Sequence, residues 1–159
     1  MTILTGGCQC GAVRFRVDGE MRDSSICHCR MCQKAFGGYY APLVSTRRAK
    51  LEWTRGEPKR FQSSNVVRRG FCGECGTPLT YEDPDGIAIA AGAFDDPSAL
   101  PPTKQFGTEA KIGFVDRLHT LPGHVTEEDY DDAPFLKDLV SYQHPDHDTD
   151  VWPPKDFSA

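Results

Sequence analysis

The sequence predicts one mainly β domain that is built around bound metal. Short segments rich in β-branched and aromatic residues recur between turn sequences, as is typical of strands. All seven cysteines fall into three tight groups, in the order Cys8 and Cys10, then Cys27, Cys29 and Cys32, then Cys72 and Cys75. A chain of 159 residues is long enough to bury a core without disulfides.

The composition narrows the class of protein. A net charge of −5 gives no support to nucleic-acid binding, which normally requires a basic domain. No apolar run is long enough to span a bilayer, and the first residues lack the basic and apolar regions of a secretory signal. We therefore expect a cytoplasmic protein without membrane or nucleic-acid partners, in which clustered cysteines indicate metal rather than disulfides.

The strands are predicted from local patterns. Over residues 11–18, Val13, Phe15 and Val17 alternate with charged side chains, which indicates a half-buried strand. Further strands are predicted at 39–44, 51–54, 59–62, 66–71, 79–81, 87–91 and 110–115. The turn sequence at 83–86 joins two of them.

The remaining segments are predicted to be less regular. Residues 24–27 lead into the central cysteines without a helical period, so these cysteines are expected on a loop. Residues 134–140 could form a short helix, and the end from 144 to 159 looks poorly ordered. We expect a zinc-binding domain over 1–125 and an acidic extension over 126–159 that packs on it or trails from it.

Two cysteine pairs predict a structural zinc site. Four thiolates from two separated pairs satisfy a tetrahedral zinc ion, so Cys8, Cys10, Cys72 and Cys75 would close one site that has no open position. Such a site stabilises the fold by about 10 kcal/mol or more in small zinc modules.

The central triplet predicts a different site. Cys27, Cys29 and Cys32 supply three thiolates, and a catalytic zinc keeps three protein ligands and an open position. His28 is a candidate fourth ligand, although in an extended segment its side chain points away from those of its neighbours. His119 or His124 could also close the site. In another interpretation Cys29 and Cys32 form a redox pair, but no thioredoxin-like βαβ pattern accompanies them.

An open zinc with soft ligands favours a thiol as its substrate. The metal would remove the proton from that thiol, and the thiolate could then add reversibly to an aldehyde. Alternatively, the metal could polarise the carbonyl, because a thiolate held by zinc is a weaker nucleophile. The sequence leaves both roles open.

Three motifs resemble those of the glutathione-dependent formaldehyde-activating enzyme family, whose domain is shared with the centromere protein V group. They are Gly-Cys-Gln-Cys-Gly-Ala-Val-Arg-Phe from residue 7, Cys-His-Cys-Arg-Met-Cys-Gln-Lys from residue 27 and Phe-Cys-Gly-Glu-Cys-Gly-Thr-Pro-Leu from residue 71. The similarity continues weakly to about Val115, and Phe114 stands where relatives often carry tryptophan.

This resemblance implies antiparallel sheets in a β-tent, or Mss4-like, arrangement with two zinc ions per chain. It implies a structural zinc at Cys8, Cys10, Cys72 and Cys75 and a catalytic zinc at Cys27, Cys29 and Cys32. The implied activity is that of a carbon–sulfur lyase, which joins glutathione and formaldehyde reversibly to S-(hydroxymethyl)glutathione.

The sequence therefore favours a lyase that acts on a glutathione-like thiol. Lys34, Arg47 and Arg48 are candidates for binding the carboxylates of the substrate, and His28 is the first candidate for an acid or base. The alternatives are a zinc-stabilised interaction module without activity and a thiol-based redox sensor. No oligomeric state is predicted.

Overall fold

The computed structural model describes residues 2–21 and 23–153. The strands are β1 (Ile3–Gly7), β2 (Arg14–Gly19), β3 (Ser24–Cys27), β4 (Ala41–Ser45), β5 (Ala49–Arg55), β6 (Lys59–Gln62), β7 (Arg68–Phe71), β8 (Pro78–Asp83), β9 (Gly86–Ala90) and β10 (Lys104–Phe106). The helix α1 spans Arg30–Phe36. Short 3₁₀ helices lie at Ala91–Ala93, Pro97–Ala99, Thr108–Ala110, Val115–Thr120, Thr126–Asp129 and Pro134–Asp138.

The strands form two sheets. One has three strands in the order β1-β2-β5, and the other has seven in the order β10-β3-β4-β9-β8-β7-β6. Neighbouring strands are antiparallel, except that β10 runs parallel to β3. The predicted mainly β fold class is confirmed by these two sheets.

No helix among the described residues is both long and apolar enough to cross a membrane.

The two sheets share one core. Phe15 is fully buried and meets Trp53 and Phe94 edge to face, with ring centroids 6.0 and 5.1 Å apart. Leu79 and Ile89 of the larger sheet belong to the same buried cluster. The predicted half-buried strand is confirmed as β2, because Val13, Phe15 and Val17 are buried, but the alternation fails at Arg14, which is buried beside Asp95. The strands predicted between 39 and 91 are also confirmed, with bounds that differ by a few residues.

The predicted strand at 110–115 is wrong. The ends of this segment belong to two 3₁₀ helices, Thr108–Ala110 and Val115–Thr120. Its amides close local turns, such as the bond from the Val115 amide to the Ile112 carbonyl. The last strand is instead β10, which the sequence did not indicate. Its three residues are exposed and show no alternation, so β10 exists because it pairs with the edge of β3.

The predicted loop at the central cysteines is also wrong. Cys27 ends β3, Cys29 caps α1, and Cys32 lies within that helix. The helix has only seven residues, which is too short to show an apolar period in the sequence.

The C-terminal part is more ordered than predicted. The helix expected at 134–140 is a 3₁₀ helix at Pro134–Asp138, and the side chains of Phe135 and Leu139 are exposed. Poor order is wrong for 144–153, because His144 is buried and its amide donates to the carbonyl of Gln9. Residues 154–159 lie outside the described part of the chain.

Candidate metal centres

The first candidate centre joins two loops that each follow a strand. Cys8 and Cys10 follow β1, and Cys72 and Cys75 follow β7. One potential ligand atom from each of the four cysteines lies within 4.8 Å of the other three. The structure therefore brings together the four residues that the sequence grouped for a structural zinc.

The sulfur separations suit a tetrahedral ion. The Sγ atoms of Cys8 and Cys10 are 3.6 Å apart, and those of Cys10 and Cys72 are 3.9 Å apart. Zn–S bonds of about 2.3 Å in tetrahedral geometry place sulfurs about 3.8 Å apart. All seven cysteines are free thiols. The four-cysteine group could thus hold a metal ion.

Backbone amides already point at these sulfurs. The amide of Val13 donates to Cys8 Sγ at 3.3 Å, and that of Glu74 donates to Cys72 Sγ at 3.4 Å. Such bonds stabilise the negative charge of thiolate ligands and orient them. This is a second feature of the group that fits a metal centre.

The second candidate centre is the triplet of Cys27, Cys29 and Cys32, whose sulfurs also lie within 4.8 Å of one another. The turn from β3 into α1 positions them, and the amide of Cys32 donates to Cys29 Sγ at 3.4 Å. The group in the described residues contains these three cysteines and no histidine.

The thiols of the triplet differ in their acidity. Burial raises the pKa of Cys32 above its ordinary value of 9.0, against the hydrogen bond and charge of Arg69. Burial also raises the pKa of Cys27, to about 12. For Cys29 burial acts in the same direction, but hydrogen bonds from the Cys32 amide and the neighbouring thiols, together with Arg69, bring its pKa below 9.0.

His28 lies apart from the triplet sulfurs. Its ring is fully buried, its Nε2 is 3.0 Å from Gln105 Oε1, and it meets Tyr40 edge to face at 5.6 Å. Its Nδ1 has no hydrogen-bond partner within the described residues. The structure therefore does not bring the His28 ring into the cysteine cluster, and its role as an acid or base stays a prediction.

The triplet opens into a cavity of about 450 Å³. Cys27, Cys29 and Cys32 all line it. Apolar side chains, among them Leu43, Val67 and Ile87, form part of its wall. A volume of this size is typical of small-molecule sites.

Cationic side chains also line this cavity. Arg47 pairs with Asp83 and Asp85 at 3.4 and 3.1 Å, and Lys104 pairs with Asp23 at 2.9 Å. Of the three cations that the sequence suggested for the carboxylates of the substrate, only Arg47 lines the cavity; Lys34 and Arg48 do not. His119 and His124 do not line it either.

Arg69 is a site residue that sequence reasoning missed. It lines the cavity and donates from Nη2 to Cys32 Sγ at 3.3 Å. A signal for it existed, because adjacent residues of a strand face opposite sides of the sheet. One of the two arginines in the predicted strand at 66–71 therefore had to face inwards.

Comparisons with known proteins find similar chains. A family model described as glutathione-dependent formaldehyde-activating enzyme matches residues 3–110. A Halomonas elongata protein named "Putative glutathione-dependent formaldehyde-activating enzyme" is 31% identical over 113 residues, which cover 64% of this chain and 72% of that protein. The crystal structure of a Rhodobacter sphaeroides protein aligns with a TM-score of 0.46 and 20% identity, over 64% of this chain and 98% of that one.

The matched range contains both cysteine groups and all ten strands. The family model also covers more than half of the chain. The chain therefore belongs to the glutathione-dependent formaldehyde-activating enzyme family.

Proposed function

We propose that the chain binds two zinc ions, one in each cysteine group. The group of Cys8, Cys10, Cys72 and Cys75 offers four sulfurs and would hold a structural ion without an open position. The triplet offers three sulfurs and would leave one position for a substrate. Cysteine thiolates suit zinc better than magnesium or calcium, which prefer oxygen ligands.

The function proposed for the chain is that of a carbon–sulfur lyase, which joins glutathione and formaldehyde reversibly to S-(hydroxymethyl)glutathione. The observation that carries this proposal is that a group of three cysteines, and not four, lines a cavity of about 450 Å³. A zinc ion held there would supply Lewis acidity and favour the deprotonated form of a thiol. The name of the family and that of the Halomonas elongata relative support the choice of substrates.

The chain's own residues would bind and orient the thiol. Leu43, Val67 and Ile87 would exclude water from one side of the cavity. Arg47 and Lys104 are exposed at 49% and 54% of their side chains, so each could exchange its carboxylate partner for a carboxylate of the substrate. An aldehyde held in the same cavity would then lie next to the sulfur of the thiol substrate, which attacks it.

Metal stoichiometry and activity, measured together, test the proposal. We expect two zinc ions in the freshly purified protein, one in a folded Cys29→Ser variant, and formation of the hemithioacetal above the uncatalysed rate only in the first. Cys75→Ser should instead lose the structural ion and much of the stability. Two zinc ions without acceleration would reject the glutathione–formaldehyde reaction and favour another thiol or an interaction module.

The role of Arg47 has its own test. Arg47→Met should raise KM for glutathione with little change in kcat, because the side chain would bind the substrate and its transition state equally. Lys34→Met is the matched control, since Lys34 does not line the cavity. An unchanged KM in Arg47→Met would remove this residue from the binding site.

A further inference from the structure

Arg69 is a permanently charged side chain that is buried beside the triplet. Its side chain is 3% exposed, and its Nη2 donates to Cys32 Sγ at 3.3 Å. Burial of a guanidinium costs several kcal/mol unless an anion offsets its charge. The arrangement therefore requires a negative partner close to this residue.

The other contacts of Arg69 are neutral groups. Its Nε donates to Ser63 Oγ at 2.9 Å, and its guanidinium lies 5.1 Å from the centre of the Tyr81 ring. No salt bridge to a carboxylate joins it within residues 2–21 and 23–153, and its Nη1 has no hydrogen-bond partner there. The sulfur of Cys32 is thus the contact that can carry a negative charge.

The preceding arginine shows the contrast. Arg68 lies on the opposite face of β7, has 58% of its side chain exposed, and pairs with Glu82 at 3.1 Å. The register of the sheet places Arg68 opposite Glu82 and Arg69 opposite Tyr81. Within β7, Arg68 therefore pairs with a carboxylate, whereas Arg69 contacts a sulfur of the triplet.

We propose that Arg69 is a positioning residue that supplies the counter-charge of the three-cysteine centre. Three thiolates and one divalent ion leave a single net negative charge, and one guanidinium cancels it. Arg69 would thereby favour binding of the metal and also the approach of an anionic ligand. The inference deepens the proposed function, because it rests on the triplet as the zinc centre that receives the thiol.

This charge balance favours anionic ligands of the three-cysteine centre over neutral ones. A thiolate that enters a centre with net negative charge is repelled, whereas a neutral centre removes that penalty at short range. Arg69 would therefore matter more for a thiol that binds as its anion than for a neutral ligand such as water or imidazole. Its loss should weaken the binding of glutathione more than that of imidazole.

Three variants separate charge from hydrogen bonding. Arg69→Gln removes the charge and keeps a donor, Arg69→Lys keeps the charge, and Arg68→Gln is the matched control on the other face of the strand. Zinc affinity of the three-cysteine site is measured by chelator competition on full-length protein, without any thiol substrate. The Cys29→Ser variant identifies which zinc equivalent belongs to this site, and circular dichroism checks that each variant is folded.

We expect Arg69→Gln to weaken the zinc affinity of this site about 10–100-fold, as the loss of groups around metal ligands does. Arg69→Lys should stay closer to wild type, and Arg68→Gln should match it. The proposal is overturned if Arg69→Gln binds zinc like wild type, or if the Gln and Lys variants lose affinity equally. These measurements use no substrate, so they can support the role of Arg69 even if the lyase assay shows no activity. Conversely, the lyase assay can show activity even if the zinc affinity does not depend on Arg69.

Discussion

Replacement of Gly107 should weaken the triplet centre although this residue is not a ligand. Gly107 follows β10 with a φ of +62°, and a Cβ atom built on it would lie 2.7 Å from the backbone nitrogen of Cys29. That distance is about 0.7 Å short of the 3.4 Å at which ordinary contact begins. In Gly107→Ala either the end of β10 or Cys29 must therefore move.

The expected loss of zinc affinity in Gly107→Ala follows from two separate energetic costs. An alanine with this left-handed φ costs about 1–2 kcal/mol. The clash adds a displacement of Cys29, and metal sites tolerate errors in ligand distance of only about 0.2 Å. If about 1.4–2.8 kcal/mol of this strain is relieved when the metal leaves, the zinc affinity of the triplet falls about 10–100-fold.

Gly37 provides a matched control. It caps the end of α1 with the same φ of +62°, but a Cβ atom there would meet nothing within 4 Å. Gly37→Ala should therefore lose about 1–2 kcal/mol of unfolding free energy and keep its zinc affinity. Chelator competition measures the affinity, and urea unfolding of the zinc-loaded protein measures the stability. Equal loss of affinity in both variants would refute the reasoning from the contact with Cys29.

Two further predictions concern the stability of the fold. Asp95→Asn should cost about 1.5–3 kcal/mol, because it removes the charged partner of Arg14 at 2.7 Å and leaves Asp148, at 2.8 Å, as the remaining carboxylate. Asp18→Asn, which removes a surface pair with Arg16, should cost less than about 1 kcal/mol. Urea unfolding measures both losses, and equal losses would contradict this prediction. Burial lowers the pKa of His144 below 6.5, with help from Arg14 and Arg55, although a bond to the Pro145 carbonyl opposes it. As the pH falls, the unfolded chain therefore takes up a proton on His144 before the folded chain does. The free energy of unfolding should then decrease below pH 6.5, and it should decrease less steeply with pH in His144→Gln. Urea unfolding at several pH values measures both slopes, and parallel slopes would count against this prediction.

The cysteine spacing determined how the candidate metal ligands group. Residues two or three apart lie close together in any compact turn, so each motif could be assigned from the sequence alone. The same holds for β2, because a period of two reports the burial of Phe15 and Val17, although it does not report that of Arg14. The turn at 83–86 was likewise local, and it joins β8 and β9 as predicted.

Other features depended on partners that are distant in the sequence. Arg69 contacts Cys32 across 37 residues. The alternation of a strand puts Arg68 and Arg69 on opposite faces, but it does not tell which of the two faces inwards. β10 is a strand only because it meets the edge of β3. His144 is buried because the chain returns to the loop after β1, where it contacts Gln9 and Gly11.

The difference between the features that could be predicted and those that could not comes from the distance along the sequence over which each interaction acts. Periodicity and turn propensity act over a few residues, so they determined β2, the strands from β4 to β9, the turn at 83–86 and the grouping of the cysteines. Burial of a charge, pairing at a sheet edge and the room beside Gly107 depend on atoms that only the folded chain brings together. The sequence by itself therefore determined which residues can bind metal, whereas the tertiary structure decided what surrounds the sulfurs and which cavity they face.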